Sequence, residues 1–509
     1  MESERKGLDM SQASGAIGIF VGAEKIELFA SFAMLLSIDK KVEIFVESAE
    51  IGKLVSTKIT TTKPIKVTVL PEKRSEPSQL AQTLTDAAVE EERLGVRLAR
   101  LMAEDRALGF GYLLNADNYP FVKRAAWTRK EKIQAVLNEI SIYRKSIRSK
   151  DFVLALTGNT ILSLVCQEKN IPCLFLTSAR AGDRCFWSDD GLMSSQRYQH
   201  LVERWRARVQ TAGELVVEPS YEAEVAGQDI LQAQSGGFRL TIGSLSRIIV
   251  MDSWRLISGQ RKPHSYRSYA WIAPVIRRLN NLNWVKKRSF KPEDIRGERI
   301  IYFPLNLEPE ISLLHFAPEF NNNAEAVSWL SKSAPADCLI VVKEHPAAYG
   351  VRSRRFHERM YFMPNVIFSH PEQSSWDWVE RSMAVATITG TVGQEAVELL
   401  RPVISFGKHS ILHNLPTVFQ VNTPDEVKTV LDQIAVGKVS RVECRQSKAI
   451  LSQAREEISF PLASFHRKTT DMKTNEQDAR IALDVLSTDL DFLKSSETPR
   501  NALSLSPIK

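Results

Sequence analysis

Val385 to Gly407 reads V-A-T-I-T-G-T-V-G-Q-E-A-V-E-L-L-R-P-V-I-S-F-G, and few folds accept that order of side chains. A β-branched run, Val385 to Ile388, leads into a turn bracketed by Gly390 and Gly393. Gln394 to Leu400 has helical composition, Arg401-Pro402 stops the helix, and Val403 to Phe406 is a second apolar strand. Strand, glycine loop, helix and strand in this sequence make an α/β unit. A glycine loop that opens a helix presents unpaired N–H groups and the positive end of the helix dipole, which suits a phosphate. Thr389 and Thr391 add hydroxyls, and Glu395 can accept hydrogen bonds from ribose hydroxyls. The same two glycines also suit plain close packing of helix on strand, with Thr389 as a cap, so the loop alone leaves both readings open.

The rest of the chain supplies the context. Its 509 residues are enough for two or three domains, and 43% hydrophobic with 25% charged residues is an ordinary globular balance. Cys166, Cys173, Cys185, Cys338 and Cys444 are odd in number and contain no C-x-x-C pair. That spacing predicts neither a disulfide framework nor a zinc knuckle, and it points to a reducing, cytoplasmic compartment. Residues 1–15 hold no apolar core of signal-peptide length, and no later run approaches 18 uncharged apolar residues.

The α/β alternation appears twice. Gly15 to Val21, Glu24 to Ser37 and Val42 to Val46 read as strand, helix and strand, the opening of a Rossmann-like half. After the charged helical stretches Ser75 to Ala103 and Glu131 to Ser149, a second unit follows: Phe152 to Leu156, Thr160 to Glu168 and Pro172 to Leu176. The loop beyond it carries Arg180, Asp183, Arg184, Asp189 and Asp190. These are expected at the carboxyl end of a parallel strand, the edge where open α/β sheets bind ligands. Domain boundaries are expected at 1–14 (disordered tail), 15–260 (first Rossmann-like domain), 261–298 (basic aromatic segment), 299–460 (second Rossmann-like domain) and 461–509 (one helix and a disordered end).

In the second half, Lys343, Glu344, His345 and Pro346 follow the strand Cys338 to Val342. With that strand and Val385 to Ile388 both central and parallel, the two loops converge on one sheet edge. Lys343 and His345 then neutralise a nucleotide phosphate whose other side rests on Thr389 to Gly393. The alternative is a simple strand exit; His370-Pro371 also follows a strand and receives no role. Two such halves facing a cleft have the geometry of a GT-B glycosyltransferase.

Ile300 to Ser312 (I-I-Y-F-P-L-N-L-E-P-E-I-S), Val341 to Pro346 (V-V-K-E-H-P) and the glycine-loop unit, in that order, resemble the bacterial capsule polysaccharide biosynthesis family over roughly residues 299–420. This family of surface-carbohydrate glycosyltransferases includes the Kdo transferases of the capsule's lipid linker. The resemblance implies a GT-B enzyme that uses a nucleotide-activated sugar as co-substrate, without a separate cofactor and without an Asp-x-Asp metal site. It implies that His345 and the Thr389 to Gly393 loop hold the nucleotide, CMP if the sugar is Kdo-like. Glu308 and Glu310 match the family's P-L-x-x-x-P-E loop near the cleft; exposed carboxylates flanking Pro309 are the plainer reading. The first half is similar only through R-x-x-D-R and S-D-D-G, so the polysaccharide or lipid-linked acceptor does not follow from it.

Glycosyl transfer to a hydroxyl needs a carboxylate as base or nucleophile. Asp189 and Asp190 are the sequence candidates, with Arg184 as phosphate or carboxylate partner, against a reading as turn formers paired with Arg180 and Arg184. The stretch Arg261 to Arg299 interleaves Tyr266, Tyr269, Trp271, Ile272, Val275, Ile276, Leu279 and Trp284 with Arg and Lys. That composition suits either an anionic membrane surface at the inner face of the plasma membrane or an interdomain helix. No nucleic-acid-binding module accompanies the charge. The competing functions are a GT-B-fold sugar epimerase, a polyol-phosphate transferase, or a noncatalytic nucleotide-binding assembly protein.

Overall fold

A computed structural model of the chain describes residues 15–61, 63–73, 80–105, 108, 128–193, 195–212, 250, 253–254, 272–308, 311–317, 320, 322–345, 348, 350, 352–408, 410–466 and 471–495. The tails 1–14 and 496–509, Gly236-Gly237 and basic residues 261–271 lie outside it. The described residues within 1–102, 127–208 and 452–509 form one compact unit, and those within 103–126 and 209–451 form a second.

The first unit opens with β1 (Ala16–Val21), β2 (Lys41–Val46), β3 (Ile65–Val69), β4 (Lys150–Leu156), β5 (Cys173–Ser178) and β6 (Arg184–Ser188). In the second unit follow β7 (Ser289–Phe290), β8 (Arg299–Pro304), β9 (Cys338–Lys343), β10 (Val366–Ser369), β11 (Ala384–Thr387), β12 (Val403–Ser405) and β13 (Val418–Gln420). The short β14 (Phe460–Pro461) returns to the first unit.

In the first sheet the order is β14-β6-β5-β4-β1-β2-β3. β1 to β5 are parallel, and β1, β4 and β5 are near-continuous apolar runs, as strands covered by helices on both faces require. β6 departs from the expectation. It pairs antiparallel with β5, Cys185 opposite Ser178 and Ser188 opposite Phe175. Arg184 therefore stays near the carboxyl end of β5, while the chain doubles back and carries Asp189 toward Cys173 and Pro172 at its beginning. Arg184 and Asp189 thus stand at different heights along β5, and the next turn brings the Gly191 carbonyl to the Gly158 N–H, 3.1 Å away, just beyond the carboxyl end of β4.

The helix Met472–Ser495 is the other departure. Ala479, Ala482, Leu483, Leu486, Leu490 and Leu493 recur at helical spacing and are buried in the first core beside Phe32 and Trp187. The Trp187 indole N–H donates to the Ala482 carbonyl at 2.9 Å. The helix that the sequence placed after the second Rossmann-like domain is thus a structural layer of the first unit.

The second sheet has the order β13-β12-β11-β8-β9-β10-β7, and each pairing is parallel. From β8 the chain builds outward through β9 and β10, then returns to the other side of β8 to lay down β11, β12 and β13. The strand order reverses between β8 and β11, and in open α/β sheets the crevice outside the carboxyl ends at that switch is where ligands bind. Among the described residues no helix is long and apolar enough to cross a membrane.

Candidate functional site

The loops that leave β8 and β11 meet at the switch point. Asn306, two residues beyond β8, donates from Nδ2 to Oγ1 of Thr389, two residues beyond β11, at 3.2 Å. Both side chains are buried. The backbone of Asn306 is fixed as well: its N–H donates to Asn323 Oδ1 at 2.8 Å, and its carbonyl accepts from Asn323 Nδ2 at 3.2 Å and from Arg352 Nη2.

Arg352 ties this loop to the one after β9. It is 2% exposed, with Nη1 2.8 Å from Glu308 Oε2 and Nε 3.1 Å from Glu344 Oε1. Glu308 Oε1 accepts from the Asn323 N–H at 2.6 Å. Glu344 accepts from the His345 N–H at 2.8 Å and lies 3.1 Å from His357 Nε2. Buried carboxylates are tolerable only when paired, and here one guanidinium serves two of them. Burial pushes the Glu344 carboxyl up, but Arg352, His357 and the His345 amide together hold it below the usual carboxylate range.

Lys343, at the end of β9, is also buried, and its ammonium donates to Ser375 Oγ at 3.2 Å. Burial pushes it down to about 8 against the pull of Glu395 and Asp377. Glu395 moves up from the usual range through burial, with Lys343 opposing. His345 is half-buried, its backbone held by Glu344 and by the Ala348 N–H at 2.8 Å. Pro346 and Glu310 lie outside the described residues.

The glycine loop is more self-contained than its sequence suggests. The Gly390 N–H donates to Thr387 Oγ1 at 2.9 Å, and the N–H groups of Gly393, Gln394 and Glu395 bond to carbonyls within the loop. The helix that follows, Val392–Glu398, is seven residues long. A Cβ at Gly390 would stand 2.8 Å from Thr387 Oγ1, and one at Gly393 2.8 Å from Leu412 Cδ1. Close packing therefore accounts for both glycines. Thr391 is exposed at the loop's rim, and Thr389 faces Asn306.

In the first unit, Asp190 is fully buried, and its Oδ1 accepts from the Leu192 N–H at 2.8 Å. Asp189 Oδ2 accepts from the Gln196 N–H at 2.6 Å; burial, with the Asp190 charge beside it, pushes Asp189 up to about 8. Asp189 lines a depression with Ser163, Cys166, Cys173 and Gln196, all residues of the first unit. Arg184 is engaged by Ser459, donating to its hydroxyl and its carbonyl at 2.7 Å each, and holds β14 in place. These three residues are built into the first unit's framework. Of the basic stretch, Trp284 packs edge-on to Tyr361 and Phe368, and Arg288 stacks over its ring at 4.5 Å.

Sequence reading passed over Asn306, Asn323, Arg352 and His357. Asn306 sits inside the P-L-N-L-E-P motif, so its place directly after a strand was an available signal. Arg352 stands two positions before Arg354, in a stretch whose sequence reads only as the approach to a helix.

All of these second-unit residues fall within one stretch of detectable kinship. Residues 259–414 match the family described as capsule polysaccharide biosynthesis protein. The match spans under a third of the chain and includes the loops after β8, β9 and β11. No curated protein matches the sequence. Similar solved structures include the beta Kdo 2,7 transferase KpsC of Thermosulfurimonas dismutans, at 14% identity and TM-score 0.32, covering 76% of this chain and 96% of that one. The UDP-GlcNAc 2-epimerase from Neisseria meningitidis, bound to UDP-GlcNAc, is 12% identical with TM-score 0.27, covering 87% and 98%. Anabaena Alr3699/HepE, in complex with UDP and glucose, is 11% identical with TM-score 0.25, covering 92% and 99%. At such low scores no residue role passes from them to this chain.

Proposed function

We propose that this protein is a glycosyltransferase of surface-polysaccharide assembly whose second unit binds a nucleotide-activated sugar at the carboxyl edge of β8, β9 and β11. The observation that carries the reading is the capsule polysaccharide biosynthesis match over residues 259–414, which spans the switch-point loops. In the reaction the bond between the anomeric carbon and the nucleotide phosphate oxygen breaks, the nucleotide leaves with that electron pair, and an acceptor hydroxyl bonds to the sugar as its proton passes to the departing phosphate or to solvent. Negative charge grows on the leaving phosphate. His345 and Lys343 are the cationic or hydrogen-bonding groups proposed to meet it, with Thr391 at the rim.

The proposed donor is CMP-linked if the sugar is Kdo-like, transfer is metal-independent, and the acceptor is a growing polysaccharide or a glycolipid presented at a membrane surface. Asp189 and Asp190 are not among the groups proposed to meet the donor: each gives one carboxylate oxygen to a backbone amide of the first unit. The test is a transfer assay read by mass spectrometry. Purified protein is incubated with CMP-, UDP- and GDP-sugars and a lipid-linked oligosaccharide acceptor, with and without EDTA. A product one sugar heavier, formed with one donor and in EDTA, supports the reading; donor turnover that needs no acceptor would reassign the protein to the epimerases.

A further inference from the structure

Among the described residues at the switch point, Asn306 keeps a buried polar atom with no hydrogen-bond partner. Asn306 is 8% exposed, its backbone is fixed by Asn323 and Arg352, and its Nδ2 is spent on Thr389, yet its Oδ1 is buried with no hydrogen-bond partner. A buried acceptor without a donor is costly, and such atoms in folded proteins call for a reason. Nothing in the loop's own packing uses this one. Thr389 anchors the amide, so the side chain does not turn away to find another partner. The oxygen is held rigid, desolvated and without a donor, on the sheet edge where a ligand is expected.

We propose that Asn306 is a ligand-contacting residue whose Oδ1 accepts a hydrogen bond from a hydroxyl of the bound nucleotide sugar. The inference rests on the nucleotide-sugar reading of this site. A carbonyl-type oxygen repels phosphate oxygens and needs a donor; a nucleotide sugar offers N–H groups on its base and hydroxyls on its ribose and its sugar, and the hydroxyls are the donors shared by every candidate nucleotide. The clamp around Asn306 has the purpose of preorganisation: Arg352, Glu308 and Asn323 hold the acceptor in place before the ligand arrives, so little ordering is required on binding. A site built to pair a hydroxyl discriminates strongly against ligands that lack it.

The experiment begins with calorimetric titration of the wild-type protein with CMP, UDP, GDP and ADP, followed by the sugar-linked form of whichever binds. Asn306→Ala and Asn306→Leu, the latter with the same branched shape and no acceptor, are then titrated after circular dichroism melts show them folded. The expected result is a loss of about tenfold or more in affinity. Loss toward the free nucleotide, with 2′- or 3′-deoxy nucleotide binding wild type equally weakly, assigns the hydroxyl to the ribose; the same loss with deoxy nucleotides binding wild type at full affinity assigns the contact to the base and overturns the hydroxyl; loss toward the sugar-linked form alone assigns it to the sugar. A folded variant that binds both forms within twofold of wild type overturns the inference and leaves the donor-site reading standing. Failure of every nucleotide to bind the wild-type protein overturns both. Where neither variant folds, the wild-type protein is titrated with 2′-deoxy and 3′-deoxy nucleotides and deoxy forms of the sugar donor, and equal affinity throughout overturns the inference.

Discussion

The Nε of Arg352 lies 3.1 Å from the carboxylate of Glu344, both side chains almost fully buried, and this contact closes the loop after β9 on itself while the same guanidinium reaches the loop after β8. Arg352 also pairs with Glu308 at 2.8 Å. Removing the guanidinium strands two carboxylates in a low-dielectric interior. Arg352→Met is therefore expected to cost about 3–5 kcal/mol of folding stability in urea denaturation. The triple variant Glu308→Gln, Glu344→Gln, Arg352→Met should recover part of that loss, because no unpaired charge remains. A cost under about 1 kcal/mol for the single variant would show that water reaches the pair.

Lys343 gives a pH signature. Its folded value, about 8, is below the unfolded value of 10.5, so between these pH values the unfolded chain binds more protons and stability rises with pH. Below about 8 the buried ammonium costs roughly 3 kcal/mol. The stability advantage of Lys343→Met over wild type should thus be largest at pH 7 and shrink between pH 8 and 10.5. Equal pH profiles for the two proteins would contradict the burial of the amine.

Asp189 carries the opposite sign. With a folded value near 8 against an ordinary 3.8, the folded state holds the proton that the unfolded state has lost, and stability falls as pH rises from about 4 to 8. Asp189→Asn keeps an acceptor for the Gln196 N–H and removes the titration. Its stability relative to wild type should grow across that window by at least about 2 kcal/mol, and it should retain transfer. Loss of transfer in the folded variant would return Asp189 to the mechanism.

What the sequence made legible follows from the range of the signals involved. Val385 to Gly407 announced its strand, turn, helix and strand because glycine, proline and β-branched residues act on their immediate neighbours, and the structure has β11, a seven-residue helix and β12 there. The direction of β6 was not legible. R-C-F-W-S is equally apolar whichever way it pairs, and its antiparallel seat beside β5 depends on the turn from Ala179 to Asp183 and on β14, which arrives from the far end of the chain. Likewise the stripe from Ala479 to Leu493 declared a helix without saying which core it completes. Arg352 and Asn306 were missed for the same reason. Their meaning lies in partners at Glu308, Glu344 and Thr389, brought together by sheet order rather than by spacing.

The central claim is that the carboxyl edge of the second sheet holds the donor nucleotide. It is tested most directly by titrating CMP, UDP, GDP and ADP, in EDTA, into wild-type protein and into His345→Ala. The account predicts one preferred nucleotide, with affinity reduced about 10- to 100-fold in the variant, the equivalent of about 1–3 kcal/mol for a lost hydrogen bond to a charged group. Absence of binding by all four nucleotides, or equal affinity in wild type and variant, would contradict it.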